Sequence, residues 1–502
     1  MNSEKKHKKK SKMERGLTNR HVQVMAIAGT IGTGLFLGAG RSISLTGPSI
    51  VLVYMITGGF MYLMMRAIGE MLYQDPEQHT FINFITRYLG KGWGYFSVWS
   101  YWLSVVFIGM AEITAIAHYV QFWFPSWPSW LIQVVFLTIL GLVNLIAVKI
   151  FGEVEFWFAM IKIVAILAMI ATGIFMVLTG FETPYGSASL VNISKQFSLF
   201  PNGGMNFVMA FQMVFFAYLM IEFIGVTTSE TKDPRKVLPK AVKEIPLRII
   251  FFYGGALLAI MSIIPWRELT AADSPFVTVF ELVGLKWAAA LINFVVLTSA
   301  ASALNSTLYS TGRHLYQIAH DSPNRFLKAI KADTLSRHNV PQNAIIASAV
   351  LIGFAAFINV LPGVSDAFAL ITASSSGVYI AIYILIMVAH LKYRKSKDFM
   401  ADGYLMPQYR LLNPLTMLFF IFVFGTLFLQ ESTVISKFVN VQLVKVATHK
   451  LVKKSKSKLL KFQHSKLVKL LKKQLNNDSI KNLSYCLTGF FCIFSSESSR
   501  RR

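Results

Sequence analysis

The sequence predicts an all-α polytopic membrane protein, and three observations carry that prediction. Mean hydropathy is +0.52 and 54% of the 502 residues are hydrophobic, against 15% charged. A soluble chain of this length could not hide that much apolar surface. Apolar runs of about 20 residues recur along the chain, each long enough to cross a bilayer. The short alternating segments of a membrane β-barrel are absent.

Taken in order, spans are expected at roughly 22–44, 48–72, 93–120, 129–148, 155–179, 206–225, 247–265, 287–310, 342–361, 366–390 and 412–430, eleven in all by bilayer length. Pro48, Pro128, Pro265 and Pro362 fall at or near span ends, where a missing N–H costs least. Three regions follow: a basic N-terminus over 1–20, a transmembrane body over 21–430 and an atypical lysine-rich tail over 431–502. The first apolar run is too long for a cleavable signal peptide and continues into the body.

Lysine and arginine set the orientation. With the N-terminus inside, the inner loops hold clusters such as Lys232, Arg235, Lys236, Lys240 and Lys243. The outer side holds Arg41, Lys195, Arg267 and Lys286. The N-terminal "KKHKKKSK" adds to the inner side. The expected location is therefore the cell membrane, multi-pass, with a cytoplasmic N-terminus. The net charge of +25 is concentrated in that block and in the tail. Such blocks beside membrane spans read as anchors against anionic lipid, so no nucleic acid partner is expected. Both cysteines, Cys486 and Cys492, lie in the tail, which excludes disulfides and thiolate metal sites from the body.

The tail conflicts with this topology. After eleven spans it would emerge outside, yet it is rich in lysine and has no acidic residue between Glu431 and Asp478. Two readings stand. One is a basic surface helix; the other is a replaced native end, for example by a frameshift.

Ionisable residues inside spans are expensive and mark candidate functional positions. Arg66 and Glu70 lie four apart near the inner end of span 2 and read as an i,i+4 ion pair. Glu153 and Glu155 sit at the inner entry of span 5, where a helix N-terminus favours acids; structural and functional roles are both open. Glu112 in span 3, Lys162 in span 5 and Glu222 in span 6 are deeper. A desolvated lysine can exist neutral as well as charged, so Lys162 is a proton-carrier candidate, the alternative being a permanent buried ion pair. Glu112 and Glu222 are candidates for proton coupling or for structural hydrogen bonds. Of the ten histidines, His118 is the one expected within a span.

The stretch "GTIGTGLFLGAG", residues 29–40, raises a different question, because five of its twelve residues are glycine. A phosphate loop is excluded: no Gly-Lys-Ser/Thr follows and no strand precedes. A dinucleotide fold is excluded too, since the glycine spacing is wrong and no βαβ unit surrounds it. Helix packing explains Gly34-x-x-x-Gly38. A broken helix explains Gly29, Gly32 and Gly34 together, because unwinding frees N–H groups for a carboxylate and carbonyls for an ammonium. Non-helical backbone at that depth must line a cavity.

Five ordered motifs carry a family likeness: "LTNRHVQVMAIAGTIGTGLFLGAG", "GEVEFWFAMIKIVAI", "TTSETKDPRKVLPKA", "IPLRIIFFYGGALLAIMSIIPW" and "INFVVLTSAASALNS". Together they resemble the amino-acid transporter family of the amino acid–polyamine–organocation superfamily, from about Leu17 to about Gln430. The resemblance implies two inverted five-helix repeats plus further C-terminal helices, with spans 1 and 6 discontinuous and facing each other. It implies that Gly32, Thr33 and Gly34 offer N–H groups to a substrate carboxylate. Ile31 and the segment Phe216, Ala217, Tyr218 and Leu219 would offer carbonyls to its amino group, with Phe216 as a lid. Lys162 falls where sodium-coupled relatives place a cation, which implies proton coupling, and Ser299 and Ser302 of span 8 lie near that position. Two departures stand out. The family usually has glycine just before the Ile-Glu of span 6, where "FAYLMIEFIG" has Met220; a bulky residue there would stiffen the break or narrow the pocket. The family also expects a twelfth span where this chain has its tail.

The expectation is a proton symporter importing small neutral amino acids, with glycine, alanine and serine as D- or L-isomers leading the list. Its partners are the amino acid, protons and the lipid bilayer. No cofactor or metal is implied, and the oligomeric state is open. The alternatives are a broader L-amino acid permease, or a sensor or defective member of the same fold. An enzyme is disfavoured, because no His-Glu-x-x-His spacing or nucleophile elbow occurs.

Overall fold

The computed structural model describes residues 31–429, apart from 77, 79, 147, 196, 223–232, 271–273, 283–285, 322–324, 337–339 and 360–365; of 146, 148–155, 245, 246, 286 and 321 it describes the backbone alone. Glu153, Glu155 and the whole tail therefore lie outside the described side chains, as does Gly29.

A helix occupies each apolar run. Span 1 is split into α1 (Thr33–Phe36) and α2 (Gly38–Thr46), and a 3₁₀ turn at Gly47–Ser49 leads into α3 (Ile50–Gln74). Then come α4 (Ile82–Leu89), α5 (Lys91–Gln121), α6 (Ser129–Ile146) and α7 (Val148–Thr179). A two-residue hairpin pairs Glu182–Thr183 with Gly186–Ser187 and is followed by α8 (Val191–Ser194). Span 6 is α9 (Gly204–Ala217), which ends in irregular turns. The second half holds α10 (Pro234–Ile263), α11 (Pro275–Leu282), α12 (Lys286–Asp321), α13 (Arg325–Ala329), α14 (Gln342–Ile358), α15 (Ala367–Tyr393) and α16 (Tyr409–Thr426).

The packing has the order expected of two inverted repeats. Four of the five spans of the first repeat lie against the counterpart five spans later: α1 and α2 on α9, α3 on α10, α5 on α12, and α6 on α14. Helices α5 and α15 are mostly buried, whereas α7 and α16 are mostly exposed. The outer faces carry bare apolar side chains such as Leu142, Val164, Leu178, Phe354 and Leu418. An all-helical body satisfies its own backbone, which is the condition for that face to meet hydrocarbon.

One predicted pair is not formed. Glu70 is buried and turns to α15, away from Arg66. Its carboxylate pairs with Arg394 (Nε at 2.5 Å, an Nη at 2.6 Å), accepts from the Met406 N–H at 2.6 Å and lies 3.2 Å from His390 Nε2. Arg66 donates to the Leu405 carbonyl and lies over the Tyr404 ring at 3.9 Å. The i,i+4 spacing permits a pair, but a buried carboxylate is stabilised more by several converging donors than by one long flexible neighbour. His390 corrects a second expectation. It is fully buried in α15 and lies 2.9 Å from the Asn413 side chain of α16. This cluster ties the ends of α3, α15 and α16 into one block.

Candidate functional site

The site starts at the split in span 1. Gly32 precedes the single turn of α1 with an extended backbone (φ −138°, ψ −156°). Its carbonyl accepts from the Leu35 and Phe36 N–H groups, and Thr33 O accepts from Leu37. The helix then restarts at Gly38. The split leaves the Phe36 carbonyl for another partner, and the Ser274 hydroxyl donates to it at 2.7 Å.

Three glycines here divide two jobs between them. A Cβ on Gly34 would lie 2.8 Å from Ala217 Cα, and one on Gly38 would lie 3.0 Å from Met213 Sδ. Residues 34 and 38 thus meet 217 and 213 across two antiparallel helices, the close approach that small residues permit. Gly32 is different: its missing Cβ would sit 2.8 Å from Glu112 Oε1. Its φ is open to any residue, so the demand for glycine is steric and comes from that carboxylate.

Glu112 therefore belongs to the break. It is 3% exposed on α5, and its Oε1 accepts from the Thr33 hydroxyl at 3.2 Å, with the Thr33 N–H also acting on the carboxylate. Among the described residues its Oε2 has no hydrogen-bond partner. Lys162 on α7 is equally buried, and its positive charge acts on Glu112. Three residues that the sequence singled out separately (Thr33, Glu112 and Lys162) thus form one polar group beside the glycines.

The second break lies opposite. Phe216 is the penultimate residue of α9, buried, with its ring edge toward Phe368 at 6.3 Å. The Phe216 carbonyl accepts from the Leu219 N–H, and the Ala217 carbonyl accepts from Tyr253 OH at 2.9 Å. Tyr218 OH donates to the Tyr54 carbonyl at 3.0 Å. Ile31, Ala217 and Leu219 are all buried beside this junction.

This pairing of interrupted helices can be set against known proteins. A family model described as amino acid permease matches residues 21–448. The chain belongs to the amino acid permease family. It is 51% identical over 426 residues to the DL-alanine permease SerP2 of Lactococcus lactis, covering 85% of this chain and 92% of that one. It is 48% identical to the serine permease SerP1 of the same organism, over 85% and 94% of the two chains. The D-serine/D-alanine/glycine transporter of Escherichia coli K12 is 44% identical over 84% and 90%. The permease is a multi-pass membrane protein of amino acid transport, not an enzyme.

In the permease, Met220 answers the question its sequence raised. It adopts φ +67°, the left-handed region that a glycine would enter freely. The second break is therefore present despite the side chain, at a cost of about 1 kcal/mol relative to glycine.

Glu222 lies in a separate cluster. Its carboxylate accepts from Tyr101 OH at 3.2 Å and Tyr383 OH at 2.6 Å, with Tyr379 beside them. Tyr101 is eleven residues before Glu112 on α5, so the two carboxylate sites are about 16 Å apart along that helix. The His314 ring lies edge-on to Tyr101 at 5.1 Å. At the other end Arg41 of α2 pairs with Asp366, which also caps α15 through the Ala369 N–H at 2.8 Å. Ser299 and Ser302 are buried on α12, and among the described residues Ser299 Oγ has no hydrogen-bond partner.

Tyr101, Tyr253, Tyr383 and Ser274 escaped the sequence reading, because a tyrosine or serine in an apolar helix reads as core. The one available signal was the i,i+4 spacing of Tyr379 and Tyr383, which sets both hydroxyls on one face of α15.

Proposed function

We propose that the permease imports small neutral amino acids, with alanine, serine and glycine foremost, together with a proton by alternating access. The observation that carries this reading is the meeting of two interrupted helices at Gly34 and Ala217, beside a buried carboxylate and ammonium. Freed N–H groups at Gly32, Thr33 and Gly34 receive the substrate carboxylate, and carbonyls at Ile31, Tyr218 and Leu219 receive its ammonium. The Ala217 carbonyl, already engaged by Tyr253, supports the break more than the ligand. Phe216 closes over the apolar side of a small substrate. The names of the relatives, an alanine permease, a serine permease and a D-serine/D-alanine/glycine transporter, support this substrate class.

Lys162 stands in for a coupling cation and Glu112 carries the transported proton. The excess of lysine and arginine in alternate loops supports a cytoplasmic N-terminus in the plasma membrane. Arg41–Asp366 then closes the outer side, and Glu222 with Tyr101 and Tyr383 closes the inner side. Each latch joins a discontinuous span to α15, so opening one while the other holds gives alternating access. Uptake of labelled D-alanine, L-alanine, serine and glycine into proteoliposomes tests the reading. Accumulation driven by an inward proton gradient is expected; no uptake of any of them, with or without the gradient, sinks it.

A further inference from the structure

We propose that Glu112 is a resident competitor for the substrate: its carboxylate occupies Thr33 at the span 1 break, and an amino acid takes that seat only when Glu112 is protonated. The inference rests on the transport reading above and deepens it. It makes proton binding a precondition of substrate binding.

The geometry has three parts. The Glu112 carboxylate is already seated on Thr33 by the hydroxyl hydrogen bond, with the N–H of the same residue acting on it, where a substrate carboxylate is proposed to bind. A Cβ on Gly32 would crowd Oε1 at 2.8 Å, so the bare glycine lets the carboxylate sit there. Among the described residues Oε2 is buried without a hydrogen-bond partner, so one oxygen of the carboxylate holds the seat. An ionised group there would meet an incoming carboxylate with like charge and no water to screen it.

The charges around Glu112 fit the role. Lys162 on α7 acts on it from one side, and Tyr119 lies two turns along its own helix. Helix α1 offers it the Thr33 hydroxyl and N–H and no charge. No ionisable side chain of α6, α12, α14 or α15 acts on it among the described residues. Lys162 is thus the nearby cation, and it can neutralise one carboxylate at a time. With Glu112 ionised, that carboxylate is Glu112. With a solvent proton on a Glu112 oxygen, the Lys162 charge and the Thr33 donors pass to the substrate carboxylate. Proton and amino acid then bind together and leave together, which is coupling by exchange of one carboxylate for another.

Calorimetry of L-alanine and D-alanine binding to the purified full chain, in two buffers of different ionisation enthalpy, counts the protons taken up. The wild type is expected to take up close to one proton per alanine at high pH, with affinity weakening about tenfold per pH unit once Glu112 ionises. Glu112→Gln is expected to bind with a flat pH profile and no proton uptake. Thr33→Val removes one donor that holds the ionised carboxylate, so its affinity should persist to higher pH; this variant carries the test if Glu112→Gln does not fold. Alanine binding by the wild type without proton uptake overturns the proposal and leaves the transport reading intact. So does a wild-type pH slope in Glu112→Gln, which would move the proton to Lys162. No binding of either isomer at any pH removes the transport reading and this proposal with it.

Discussion

Two buried carboxylates, Glu70 and Glu112, divide the permease into a locked region and a poised one. Both are almost fully buried. Glu70 is met by Arg394, the Met406 N–H and His390, and both its oxygens are engaged. Among the described residues Glu112 is met at hydrogen-bond distance by Thr33, with its second oxygen not hydrogen-bonded and Lys162 acting on it. Burial by itself therefore says little about the role of an acid. The partners decide: a saturated carboxylate holds helices together, and a half-satisfied one can exchange its partners.

Substitutions should separate the two regions. The largest effect is expected from Glu70→Ala, which leaves Arg394 buried without its counterion and should cost about 3–5 kcal/mol of stability. Thermal unfolding in detergent and the yield of folded protein measure it. Glu70→Ala protein that survives should keep the wild-type pH dependence of alanine binding. Gly32→Ala should cost less stability, about 1–3 kcal/mol, because the new methyl would lie 2.8 Å from Glu112 Oε1 and push it aside. Its effect should fall on binding, with alanine affinity reduced at least about tenfold, the equivalent of roughly 1.4 kcal/mol. The smallest effect has the opposite sign. Met220→Gly should stabilise the permease by about 1 kcal/mol by relieving φ +67°, read as a higher unfolding midpoint.

The helices were legible because a bilayer demands long apolar runs, and each run became a helix. The break in span 1 was legible from glycine density, but the division of labour among the glycines was not. That Gly34 and Gly38 pack on Ala217 and Met213, while Gly32 clears Glu112, depends on residues far along the chain. Glu112 and Lys162 were visible one by one as costly charges; their meeting at Thr33 was not. Arg66 and Glu70 show the converse. Their spacing suits a helix pair, yet the partners that hold Glu70 come from the far end of the chain. Local periodicity finds elements, whereas long-range polar pairing follows from packing that single-sequence spacing does not encode.

The contrast between Glu70 and Glu112 is tested most directly by infrared difference spectroscopy on adding alanine to the permease above neutral pH. A new protonated-carboxyl C=O stretch should appear with substrate in the wild type and be absent from Glu112→Gln. No such band in the wild type, or the same band in Glu112→Gln, would contradict the account.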